Sequence, residues 1–287
     1  MSEKTTVFKS IKEFFMNQKS SILKPLLIMI VIFSVSMLVY IFVSAYMKSR
    51  NSPYIDVSSI ELVQLEAPEE GDPIAIVDTS LGEIRFVLYP EYAPNAVKNF
   101  TELAESGYYT DTYIFHSESG AYCGAGAPNK DGTLPDGYDK DRELVKRELS
   151  SNLWPLKGAV CCLTSTVDKS FLETLFGGGD YYCGSRLAFL NTIEMTDEEK
   201  ETLKSSSGSE ELADAFIEKG GIPNFSQQLT IIGQTYEGFD VIEKLSSLET
   251  YVAEDGMYKI PKEDIMIKSV TIGEYSSSEE PETTANN

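Results

Sequence analysis

An uncharged run from Pro25 to Met47, 23 residues dominated by Leu, Ile, Val, Phe and Met, constrains this chain more than any other feature. As a helix it would be about 35 Å long, enough to cross a hydrocarbon core of about 30 Å. It shows no polar face, which argues against burial in a water-soluble core. Five lysines precede it (Lys4, Lys9, Lys12, Lys19, Lys24), and Lys48 and Arg50 follow. The positive-inside bias then places residues 1–24 in the cytoplasm and the C-terminal bulk outside, in a single-pass protein of the cell membrane. A cleaved signal peptide ending near Val43-Ser44-Ala45 is the rival, but its apolar region normally runs about 7–15 residues. An uncleaved signal anchor over 25–47 is the favoured reading. Both readings make the domain extracytoplasmic.

Charge narrows the partners. The chain has 45 acidic and 24 basic residues, a net of -21, and its first 50 residues hold seven of the basic ones and two of the acidic ones. The remainder is therefore more acidic still and repels phosphate backbones, which argues against nucleic acid. The single histidine, His116, excludes multi-histidine metal sites and most histidine triads. Cys123, Cys161, Cys162 and Cys183 lack C-x-x-C spacing, so no metal and no cofactor is expected. Buried thiols are the simplest state, and a disulfide through Cys183 or Cys123 is the alternative outside the cytoplasm.

Composition divides the rest. Residues 48–72 contain Pro53, Pro68 and an acidic cluster (Glu66, Glu69, Glu70) and read as an extended linker, with Ile60, Leu62 and Leu65 able to pack on the domain. Apart from Pro281 and Ala285, residues 276–287 are Ser, Thr, Glu and Asn, and they read as a disordered tail. Between them, residues 73–275 show alternating apolar segments at 74–79, 83–89, 113–117, 121–124, 158–163, 186–191, 229–234 and 265–272. Two helical patterns, 94–106 and 239–248, complete the set; Pro94 suits a first turn and Gly107 a stop. Many short antiparallel strands with two helices predict a mainly β fold, a closed barrel capped at its ends.

The motifs along 74–273 resemble those of the cyclophilins, the peptidyl-prolyl cis-trans isomerases. They are Thr79-Ser-Leu-Gly-Glu-Ile84, Ala93-Pro-Asn-Ala-Val-Lys-Asn-Phe100, Gly107-Tyr-Tyr109, Ile114-Phe-His116, Gly184-Ser185, Gly220-Gly-Ile-Pro223 and Ile232-Gly-Gln-Thr-Tyr-Glu-Gly-Phe-Asp-Val-Ile242. The resemblance implies an eight-stranded antiparallel barrel capped by two helices, here preceded by one transmembrane helix and carrying a helical insertion at 196–219. It also implies proline-containing polypeptides, exported proteins among them, as partners.

That family's chemistry uses no nucleophile. It binds the twisted amide more tightly than either planar form, with an arginine bonding the prolyl nitrogen and an apolar pocket gripping the ring. Carried over by position, the resemblance places the groove at Phe115, His116, Ser117, Ala121, Tyr122, Gly124, Arg186, Ala188, Asn224, Phe225 and Leu229. Ser117 occupies the arginine position. Ala121 and Ala188 stand where phenylalanines pack the ring, Tyr122 replaces a methionine and Gly124 a glutamine. Arg186 replaces another glutamine, Asn224 a tryptophan and Leu229 a histidine, while Phe225 keeps the apolar character of its site. The hairpin is one residue short, and a slip of one would exchange the side chains that face the groove.

Several functions compete on these residues. The family reading is a folding isomerase, weak or inactive because Ser117 replaces the arginine, with Arg186 as a candidate substitute cation. The alternatives are a non-catalytic polypeptide-binding module and a structural subunit of an envelope assembly. The tyrosines at 108, 109, 113, 181 and 182 suit either core packing or a binding rim. Phe176-Gly-Gly-Gly-Asp180 precedes a strand and so suits a connection better than an anion cradle.

Overall fold

The computed structural model describes residues 23–51, 57, 60–135, 145–166, 181–253, 256 and 258–277. The expected glycine loop at 176–180, the N-terminal residues 1–22 and the tail beyond 277 lie outside them. The chain divides into two units, residues 1–53 with 169–179 and residues 54–168 with 180–287.

In the first unit, α1 (Leu23–Asn51) is a continuous helix. Residues 28–41 are solvent-exposed along it, and Ser36 bonds back to the Phe33 carbonyl at 2.8 Å.

The second unit grows from a hairpin of β1 (Pro73–Thr79) and β2 (Gly82–Leu88). Strict alternation sends Ala75 and Val77 from one strand, and Ile84, Phe86 and Leu88 from the other, into one interior. The Thr79 hydroxyl fastens the turn by donating to the Gly82 carbonyl at 2.7 Å. Next comes α2 (Pro94–Glu105), which buries Val97, Phe100, Leu103 and Ala104. Its end is a Schellman turn: Gly107 has φ 75°, and Tyr108 N–H reaches the Leu103 carbonyl.

The remaining wall is β3 (Thr112–Glu118), β4 (Tyr122–Ala127), β6 (Ala159–Thr166), β7 (Tyr181–Leu190), β8 (Thr230–Glu237) and β11 (Met266–Glu274). Hydrogen-bonded neighbours run β4-β3-β11-β1-β2-β8-β6-β7, and β7 pairs back onto β4. Eight antiparallel strands thus close into the barrel that alternation and resemblance implied. The two-residue β5 (Val145–Lys146) pairs on the outer part of β7. Helix α5 (Phe239–Ser246) closes the barrel with α2, burying Val241, Ile242 and Leu245. Inside, Phe86 meets Phe100 at 5.8 Å and Phe189 at 6.2 Å between ring centroids.

Residues 196–219 hold two helices, α3 (Asp197–Ser206) and α4 (Glu210–Lys219). The first starts at a capping box in which Thr196 and Glu199 satisfy each other's backbone N–H groups. Leu212, Ala215 and Phe216 of the second form a separate cluster with Leu62, Trp154 and Leu156. The packed body therefore reaches into the expected linker. Leu62 and Gln64 are buried, and the Gln64 amide donates to Gln234 Oε1 at 2.8 Å, while Leu65 stays exposed. Between α5 and β11 an unforeseen second sheet appears, a hairpin of β9 (Thr250–Val252) and β10 (Lys259–Pro261).

Candidate functional site

Two bulges set the geometry of the β3–β4 hairpin. Gly126, at φ 85°, is the extra residue on β4, and Phe115 the extra residue on β3, so Phe115 and His116 together oppose Gly124. Both project from the outer wall above that glycine. A Cβ on Gly124 would lie 2.9 Å from Phe115 Cζ and 3.1 Å from His116 Cβ, so the missing side chain makes room for the ring.

The extra residue reverses Ser117. It pairs with Cys123, which lies in the barrel interior, and its hydroxyl accepts the Leu248 N–H at 3.1 Å. Ser117 therefore lies on the core side, fully covered, and not in the groove that the resemblance implied. The physical reason is the period of two: one inserted residue moves every later side chain to the opposite face.

What stands on the groove side is an aromatic and charged cluster. His116 Nδ1 accepts the Lys259 N–H at 2.9 Å, and its Nε2 lies 3.5 Å from the Glu118 carboxylate. The Lys259 ammonium pairs with that same carboxylate. Tyr258 packs edge-on against Phe115 at 5.2 Å and against His116 at 5.7 Å. Burial holds the His116 imidazole below its ordinary pKa of 6.5, opposed by Glu118 and assisted by Lys259.

Arg186 enters from β7. Its Nη1 donates to the Gly132 carbonyl at 2.8 Å and to the Tyr258 hydroxyl at 3.0 Å, and the guanidinium lies 5.7 Å from the Phe115 ring centre. It makes no ion pair among the described residues.

The pocket beyond is small and filled. Ala188 sits opposite Gly124 and Cys161 with no exposure. Tyr122 lies against His116 at 5.1 Å and Phe225 at 5.5 Å, and burial raises its phenol pKa. Ala121, Tyr122, Phe225 and Leu229, each half-buried, pack on Ala188, Leu190 and Ile231. Asn224 is exposed. The cavity beside Phe225 and Leu229 holds about 10 Å³, room for about one water molecule rather than a proline ring.

The tyrosine cluster divides. Tyr109 is buried and bonds the Ser185 carbonyl at 3.0 Å, and Tyr108 packs edge-on against it at 5.1 Å while bonding the Gly126 carbonyl, so these two brace the β4–β7 seam. Tyr181 is 41% exposed beneath the Arg147 guanidinium. All four cysteines are buried and free. No metal-binding group of His, Cys, Asp or Glu occurs among the described residues.

Sequence reasoning missed Tyr258, Lys259 and Glu118. For Tyr258 and Lys259 the only signal is the length of the connection between α5 and the last strand, and Glu118 directly follows the expected strand 113–117.

Residues 74–171 match the family described as cyclophilin type peptidyl-prolyl cis-trans isomerase/CLD. A Streptococcus pyogenes protein named as a bifunctional phosphatase/peptidyl-prolyl cis-trans isomerase is 27% identical over 215 residues, covering 74% of this chain but only 41% of its own length. A Staphylococcus aureus protein named as a peptidyl-prolyl cis-trans isomerase is 26% identical over 206 residues, 72% of this chain and 94% of its own. A crystal structure of a Cryptosporidium parvum cyclophilin type isomerase overlays with a TM-score of 0.48 at 18% identity, covering 72% of this chain and 99% of the other. The matched segment carries the first hairpin, α2 and the bulged β3–β4 pair, and over it the chain is similar to the cyclophilin-type peptidyl-prolyl cis-trans isomerases.

Proposed function

We propose that this chain is a membrane-anchored, extracytoplasmic cyclophilin-fold domain that binds proline-containing segments of exported polypeptides and isomerises them slowly or not at all. One observation carries the reading: Ser117 points into the core, bonded to the Leu248 N–H, where catalysis would need a guanidinium in the groove. Losing one oriented donor typically costs about 10²–10³ in rate. The proline pocket is narrowed as well, by Tyr122 against Phe225 and by Phe115 over Gly124. Arg186, which makes no ion pair among the described residues, is the candidate cation, and any residual turnover would depend on it.

The anchor rests on the sequence: 23 uncharged residues with lysines before them. The acidity of the remainder favours basic or neutral segments as clients.

The test is prolyl exchange by NMR on a panel of proline peptides, with the full chain in detergent, alongside binding by fluorescence anisotropy. Saturable binding with exchange at or near the uncatalysed rate is the expected result. Exchange comparable to an active cyclophilin would overturn the reading, and so would the absence of binding to every peptide. If slow exchange is seen, Arg186→Ala should abolish it.

A further inference from the structure

We propose that the β9–β10 hairpin is a latch, held on the outer face of β3 by the neutral imidazole of His116 and released when that imidazole is protonated. The inference does not depend on whether the groove turns over substrate.

The geometry fixes the protonation state that the latch needs. Lys259 N–H donates to His116 Nδ1 at 2.9 Å, so that nitrogen must offer a lone pair. The neutral ring then carries its proton on Nε2, which faces Glu118 at 3.5 Å. Protonation puts a hydrogen on Nδ1, against the hydrogen of Lys259 N. Two donors then face each other in a place where His116 is only 4% exposed and water cannot separate them. One bond becomes one repulsion, at the point where the returning strand of the hairpin meets β3.

Charged and titratable groups approach the ring from each neighbouring element. Glu118 lies on β3 itself and favours the imidazolium. Lys259, at the start of β10, opposes it and is paired with Glu118, so the two largely cancel. Tyr122 on β4 and Tyr258 before β10 contribute ring faces. Arg186 on β7 reaches Tyr258 rather than the imidazole. With the pair cancelled, burial decides and disfavours the charge. A group whose folded-state pKa is depressed below the unfolded 6.5 stabilises the closed form at higher pH and ceases to do so as pH falls through this range. The latch is therefore shut at neutral pH and loosened by mild acid.

Other contacts hold the hairpin beside the imidazole: the Lys259–Glu118 ion pair, the Arg186 bond to the Tyr258 hydroxyl, the Tyr258 ring on Phe115 and the buried Ile260. Loss of the His116 bond therefore loosens the returning strand, and its opening uncovers Phe115 and His116, a strip of wall adjoining the groove.

The test is amide hydrogen exchange on the full chain in detergent, corrected for the intrinsic pH dependence, comparing about pH 7.5 with about pH 5. Protection of residues 258–260 should drop roughly tenfold or more in acid while β1 and β2 keep theirs. His116→Gln supplies an accepting oxygen that does not titrate, so its hairpin should stay protected at both values. Unchanged protection in the wild-type chain, or the same acid loss in His116→Gln, would refute the latch. Should the variant fail to fold, the imidazole resonance of the wild-type chain decides. A titration midpoint below 6.5 that coincides with loss of hairpin protection supports the proposal, and a midpoint at or above 6.5 overturns it.

Discussion

Phe115 enters β3 with no partner of its own across the ladder, and that extra residue fixes which side chains face outward. His116 comes to the groove side, Ser117 goes to the core, and Gly124 stays bare because the Phe115 ring fills its space. Restoring the family's arginine by Ser117→Arg should therefore yield no turnover. It would bury a guanidinium against Leu248 and Cys123 and should lower stability by about 3–5 kcal/mol, read from chemical denaturation. The shortened hairpin was legible in sequence, as a count of one residue fewer between His116 and Tyr122. The direction of Ser117 was not, because alternation alone cannot locate a bulge.

At the scale of elements, the strands could be read because each buries one face and must alternate. The helices could be read because Pro94 and Gly107 mark their ends. What holds α2 at its start could not be read. Ala93 has no side chain to cap it, and Glu148, 52 residues downstream of Ala96, does so instead. Its carboxylate accepts the Ala96 N–H at 2.9 Å and the Asn95 side-chain amide at 2.7 Å, a negative charge at the positive end of a helix. Glu148→Ala should cost about 1–2 kcal/mol, seen as a lowered denaturation midpoint with an unchanged slope. The β9–β10 hairpin escaped notice for another reason: its strands are three residues each, too short for a period to show.

For the whole molecule, the expected division between linker and barrel moves inward. Gln64 is tied to Gln234 and to the Trp154 N–H, and Leu62 packs with Trp154 and Phe216. A chain beginning at residue 73 should be less stable than one beginning at residue 54 by about 3 kcal/mol or more. That figure combines one buried leucine with polar groups left unpaired on Gln234 and Trp154. Paired thermal melts would measure it, and equal Tm values would show that the strap adds nothing.

The sealed cysteines have a use of their own. Burial pushes the Cys123 thiol up to about 12, and Cys161 and Cys162 are raised as well, whereas hydrogen bonding with Cys162 and Thr230 holds Cys183 down. A chromogenic disulfide reagent should thus tag Cys183 first. It should reach the other three only at the rhythm with which the wall breathes apart. The chain carries a built-in stopwatch for its own opening, readable at the bench by absorbance.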